Sequence, residues 1–185
     1  MDRRGFVRAT TAGVLGTLIG PPAHASLSRA VSLEALVRRS QHVVVGEPLE
    51  AYSVWERIGS RKHIVTYTRV RADELLAGQD PREQELLVRT LGGQLGQLGQ
   101  LVHGEARLQL GRRSVLFTMP SRDALVVTAM AQGHYPLRRD AAGAEHLLRS
   151  PQASELLNEA GAAVQRLPGL KLRDARSLLT RVVAQ

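Results

Sequence analysis

The sequence contains no cysteine, which excludes a disulfide framework, a thiolate zinc site, an iron–sulfur cluster, a cysteine nucleophile and a lipid-modified N-terminal cysteine. Aromatic residues make up only 3% of the chain, so any platform for stacking bases or sugars is small. Lysine is almost missing as well: 23 of the 25 basic residues are arginine, and only Lys62 and Lys171 are lysine. The arginines are scattered in pairs (Arg38-Arg39, Arg112-Arg113, Arg138-Arg139) rather than gathered in a block, which reads as solvated surface and argues against a nucleic-acid partner. What remains is 43% hydrophobic and 23% charged over 185 residues, a composition that folds as one ordinary globular domain, with or without a leader.

Residues 1–25 carry the features of an export signal. Asp2-Arg3-Arg4-Gly5-Phe6-Val7-Arg8 resembles the twin-arginine motif, with Arg3 and Arg4 as the arginine pair and Phe6 in its apolar position. The apolar run from Ala9 to Ile19 is about 11 residues long, whereas a spanning helix needs roughly 20. Gly20-Pro21-Pro22 then breaks the run, and Ala23-His24-Ala25 offers a small-x-small cleavage site, with Ala23 and Ala25 as the small residues. The resemblance implies the twin-arginine translocase and signal peptidase as partners. It also implies a periplasmic or secreted protein starting at Ser26, with no membrane span after cleavage. Cleavage leaves 22 basic and 16 acidic side chains, so the formal charge of +8 falls to +6.

Past the leader, Ser32 can cap a short helix over Leu33–Arg39, with Glu34 in its first turn and Leu33, Leu36 and Val37 on one stripe. Strands are expected from His42 through Trp55, bent near Gly46 and Pro48, and from Arg61 to Ala72, with Ile64, Thr66, Thr68, Val70 and Ala72 on one face. Further strands are expected at Glu85–Leu91, at Ser114–Met119 ended by Pro120, at Ala124–Ala131 and at His134–Arg138. Strands separated by turn signals favour a small barrel or sandwich. The tail turns helical in pattern, from Pro151 to Leu167 and again from about Arg173.

Several landmarks occur in order: Val43-Val44-Val45-Gly46, Tyr67-Thr68-x-Val70, Leu75-Leu76-Ala77-Gly78, Gly92-Gly93, His103-Gly104-Glu105-Ala106, Leu110-Gly111-Arg112-Arg113-Ser114-Val115-Leu116-Phe117 and Met130-Ala131-Gln132-Gly133. Over roughly residues 30–139 they resemble a family of uncharacterised exported bacterial proteins. More distantly, the strand plan is similar to the OB-like barrel of netrin modules and tissue inhibitors of metalloproteinases. Those inhibitors chelate the protease zinc through an N-terminal cysteine, so their mechanism does not carry over to a cysteine-free chain. The resemblance implies a mainly β fold with flanking helices: a small OB-like β-barrel plus two C-terminal α-helices. The corresponding segments are the signal at 1–25, a barrel domain with a short N-terminal helix at 26–140 and a helical extension at 141–185.

The most distinctive local feature is a Gly-Gln-Leu triplet repeated three times, Gly93-Gln94-Leu95-Gly96-Gln97-Leu98-Gly99-Gln100-Leu101. It lacks the lysine and hydroxyl residue of a phosphate loop, and a strand-rich segment follows where a dinucleotide fold needs a helix. A loop over one mouth of the barrel is expected, with Gly93, Gln94, Gly96, Gln97, Gly99 and Gln100 as a ligand rim. His103 and Glu105 can face one side of a strand. Trp55 and Tyr52 differ by three along a strand, which puts one in the core and the other, as a rim residue, in solvent. His42, His63, His103, His134 and His146 show no chelate spacing, so no metal and no cofactor is expected. No nucleophile elbow or Ser-x-x-Lys pattern is present. The expected function is that of a non-catalytic exported binding or accessory domain, acting on a ligand or an envelope protein. A metal-binding protein or enzyme folded before export is the alternative.

Overall fold

The computed structural model describes residues 28–81, 83–153 and 156–184. The export-signal residues Arg3, Arg4 and Phe6 and the cleavage residues Ala23 and Ala25 lie outside them. In chain order the elements are β1 (Ser28–Arg29), α1 (Leu33–Arg39), β2 (His42–Ile58), β3 (Arg61–Gly78), β4 (Glu85–Leu91), β5 (Gly93–Leu95), β6 (Leu98–Gln100), β7 (Ser114–Ser121), β8 (Ala124–Val127), β9 (His134–Arg139), β10 (Glu145–Leu147), β11 (Leu156–Leu157), α2 (Ala163–Arg166) and α3 (Leu172–Val183).

Five strands close on themselves. β2 pairs with β3, β3 with β4, β4 with β8, β8 with β7, and β7 back with β2. Only the β4–β8 contact is parallel, and it is short, joining Val88 to Leu125 and Arg89 to Val126. This is the small OB-like barrel expected from the landmarks. β9 and β10 extend the sheet outward from β7.

The Val43-Val44-Val45 run has a direct physical reason. Successive residues of a strand point to opposite faces, and here both faces are covered. Val44 joins Val70, Leu86, Val88, Leu116 and Val127 inside the barrel. Val43 and Val45 join Val115, Phe117, Tyr135, Leu33, Leu36, Ala175 and Leu179 in a second core outside it, beneath the helices. The bend expected near Gly46 and Pro48 appears as pairing shifts between Val45 and Gly46 and between Pro48 and Glu50.

Local signals set α1. The Ser32 hydroxyl accepts from the Ala35 N–H, and Glu34 pairs with Arg166 of α2. α3 turns Ala175 and Leu179 into the outer core and leaves Val183 exposed.

Three details depart from expectation. The strand expected over Ala124–Ala131 ends at Val127, because Ala129 and Met130 take left-handed conformations (φ 55° and 58°) that turn the chain into a 3-10 turn over Met130–Gly133. β7 continues through Pro120, because there its second edge has no strand neighbour and a missing N–H costs nothing. Of the helix expected over 151–167, only Ala163–Arg166 is α-helical among the described residues. Asn158 and Gly161 take left-handed conformations that break the run (φ 58° and 73°), and β11 pairs in parallel with β1 instead. No helix among the described residues is long and apolar enough to cross a membrane.

Candidate functional site

The triple Gly-Gln-Leu repeat forms a two-stranded hairpin, β5–β6, rather than a loop. Leu95 pairs with Leu98 across a two-residue turn, and Gly96 stands at its first central position with φ 61°, where tight hairpins take glycine. The hairpin lies against β2 and β3. Gly92 N–H donates to Ile64 O at 2.8 Å, and the Thr66 hydroxyl donates to Gly92 O at 2.7 Å. The Gln100 side chain completes the anchor: its Oε1 accepts from Ile64 N–H at 2.7 Å, and its Nε2 lies 3.0 Å from His63 Nδ1.

Between this hairpin and the barrel wall is a cleft of about 470 Å³. Its floor carries Thr66 and Thr68 of β3 and Thr90 of β4, and its roof carries Gly93, Gln94, Gly99 and Gln100. The segment 101–108 closes the third side with Glu105 and Arg107. Three threonines on a strand face otherwise made of Ile, Val and Leu place hydroxyls where the barrel core opens to solvent. Thr68 and Thr90 are buried.

Glu105 is only 8% exposed. The pairing of β4 with β8 stops at Arg89, and Glu105 occupies the edge just beyond it. Burial pushes its carboxyl above the usual carboxylate range, while the Leu91 and Ala106 N–H groups pull it back. Ala106 N–H donates to its Oε1 at 3.1 Å. A buried carboxyl facing a cleft is the type of group that recurs at binding sites.

The structure thus brings together five of the residues singled out in the sequence: Gly93, Gln94, Gly99, Gln100 and Glu105. Gly96 and Gln97 sit at the hairpin tip, away from the cleft. His103 does not pair with Glu105, because segment 101–113 forms no strand to align them. It is exposed, and it lines a separate cleft of about 310 Å³ with Ser28, Arg29, Met130 and Gln132. Trp55 lies on the far part of β2. Both Trp55 and Tyr52 are about half exposed, so neither is the core residue the strand pattern implied.

Sequence reasoning missed the threonine floor, although hydroxyls at alternate positions of an apolar face were a readable signal. It also missed a polar group on the outer face of the barrel. There Arg89 holds Glu56 at 2.8 Å, Tyr67 donates to Glu56 at 2.5 Å, and Tyr52 stacks on Tyr67 with ring centroids 5.5 Å apart. The Arg89 guanidinium keeps the Glu56 carboxyl below its ordinary range.

His134 is 4% exposed and lies 3.3 Å from the Ser150 hydroxyl. Burial lowers its pKa to about 4, so its share of stability is complete above pH 6.5 and is lost as pH falls toward 4. No cluster of three or more His, Asp or Glu is placed to hold a metal ion among the described residues. No protein-family model matches the chain, and no curated protein matches it in sequence.

Proposed function

We propose that the chain is an exported, non-catalytic binding domain of the cell envelope, holding a small uncharged ligand rich in hydroxyl or amide groups in the cleft under β5–β6. One observation carries this reading: three threonine hydroxyls, two glutamines and a buried carboxyl surround a single cleft mounted on a closed barrel. The floor and roof offer neutral donors and acceptors, and the third side sets one carboxyl, Glu105, and one guanidinium, Arg107, so the lining carries no net formal charge and a polar, uncharged ligand matches it. Export rests on the twin-arginine-like leader, with the translocase and signal peptidase as its partners and the periplasm or the medium as its destination. A domain finished in the reducing cytoplasm has to be stable without disulfides, which agrees with the absence of cysteine.

The floor gives a direct test of the cleft. Thr68→Val with Thr90→Val removes two hydroxyls that line it while keeping side-chain volume. N-acetylglucosamine serves as the probe. It is expected to raise the melting temperature of the wild-type chain and to raise that of the double variant less. A probe-independent melting temperature in the wild type would count against this ligand class. For export, Arg3→Lys with Arg4→Lys is expected to leave the chain unprocessed in the cytoplasm. Unchanged processing and periplasmic recovery would refute the twin-arginine reading.

A further inference from the structure

The β2–β3 hairpin reaches past the barrel as a two-stranded arm. β2 pairs with β3 along its whole length but with β7 only over His42–Gly46. From Ala51 to Arg57, β2 therefore has one strand neighbour among the described residues. The direction of its free groups follows from Ile64. Both the N–H and the C=O of Ile64 turn toward the β5–β6 side, to Gln100 and Gly92. Backbone groups alternate in direction along an antiparallel strand. Val65 and Tyr67 consequently bond toward β2, where they oppose Val54 and Tyr52. The N–H and C=O groups of Ala51, Ser53, Trp55 and Arg57 then point off the open edge.

Proteins usually blunt such an edge with lysine, proline or a bulge. Here the last pairing shift is at Pro48/Glu50, and Ala51-Tyr52-Ser53-Val54-Trp55 is uncharged and rich in strand-forming residues. The edge also concentrates the chain's scarce aromatics. Tyr52 is 53% exposed and Trp55 48% exposed, and Tyr67 stacks on Tyr52. Tyrosine, tryptophan and arginine are the residue types that dominate protein interfaces.

We propose that a second copy of this chain adds its own β2 to this edge, antiparallel, about a two-fold axis through Val54. A two-fold contact requires the edge to complement itself. With Val54 opposite the partner's Val54, Ala51 meets the partner's Arg57 and Ser53 meets the partner's Trp55, so all four outward-facing residues are matched. Tyr52 then stands beside the partner's Glu56. Centring on Ser53 instead sets Glu50 against the partner's Glu56, a like-charge pair that destabilises a ladder. Centring on Trp55 sends Ala51 into the turn at the partner's Gly59. Of these three registers, only the one centred on Val54 avoids both faults.

The purified chain, examined by light scattering at concentrations around 50 µM, where an interface of micromolar strength is populated, is expected to show twice the mass of one chain, which is 20.2 kDa for the full sequence and correspondingly less once residues 1–25 are removed. Ala51→Pro deletes one outward N–H and no bond to β3, and Trp55→Lys places a charge on the edge. Each is expected to give a folded monomer whose melting temperature no longer depends on concentration, as that of the associating wild type does. The register has its own readout, because the chain has no other thiol. Opposed residues of a non-hydrogen-bonded pair lie about 4.5 Å apart at Cα, within disulfide reach. Val54→Cys is therefore expected to oxidise to a covalent dimer, and Arg57→Cys is not. A monomeric wild type, a dimer that survives both edge variants, or equal cross-linking at the two cysteine positions would each overturn the proposal. A monomeric wild type would leave the edge to an extended segment of a different protein.

Discussion

Phe117→Ala is expected to destabilise the domain by about 3–5 kcal/mol, lowering its melting temperature by roughly 6–20 °C in a chain of this size. Phe117 sits on β7 opposite Val43 of β2, one residue before the pairing with β8 begins, and its side chain is fully buried in the outer core. It meets Tyr135 edge-on, with ring centroids 5.9 Å apart at 66°. Truncation removes that contact and leaves a cavity among Val43, Val115, Leu33 and Leu36. The helices α1 and α3 rest on this same core, so they cannot collapse to fill the space without losing their own seats. The measurement is a urea titration of the variant. A loss below about 1 kcal/mol would show that the core relaxes freely and that the two-layer packing described for β2 and β7 is wrong.

Gly93→Ala is the second large expectation, and it joins the fold to the site. A Cβ at Gly93 would lie 2.1 Å from the Thr66 hydroxyl oxygen and 2.7 Å from that of Ser53, at a backbone φ of 136°. The Thr66 hydroxyl cannot simply swing aside, because it donates to Gly92 O and lies 3.0 Å from Ser53 Oγ. The hairpin must lift from β3, which breaks the Thr66–Gly92 bond and opens the roof of the cleft. A loss of about 2–3 kcal/mol is expected. Thr66→Ala in the same chain is expected to recover part of it, because the obstructing oxygen is gone while the backbone strain remains. Additive losses in the double variant would mean that the two residues do not meet.

The contrast with Gly96 shows how much of this site was legible in advance. Both glycines belong to one repeated triplet and look alike in sequence. At Gly96 a Cβ would meet nothing within 4 Å, so glycine there serves only the turn. At Gly93 it serves contact with a strand some 27 positions earlier in the chain. The repeat read as a loop; only the packing made it a hairpin and separated the positions that face the cleft from those at its tip. The same holds for Glu105 and His103, two residues apart in sequence and yet placed in different clefts by an irregular segment.

The sequence by itself determined the short-range structure. Ser32 and the spacing of Leu33 and Leu36 specified α1, since a cap and a helical stripe are complete within a few residues. Alternation specified β3, and the run of valines specified a strand, although only the packing showed that both of its faces are covered. The mainly β class followed from these pieces. Only the tertiary structure decided how the ring closes, because the β4–β8 contact joins residues far apart in the chain and rests on just two pairs. It decided that residues 156–157 pair with β1 rather than continue a helix, although their spacing suited one, since left-handed turns at Asn158 and Gly161 outweigh a weak local preference. It also assembled the threonine floor with Glu105, and Glu56 with Arg89. Helix caps and strand alternation are energies of neighbours, whereas a cleft or an ion pair between strands exists only after distant segments have been brought into register.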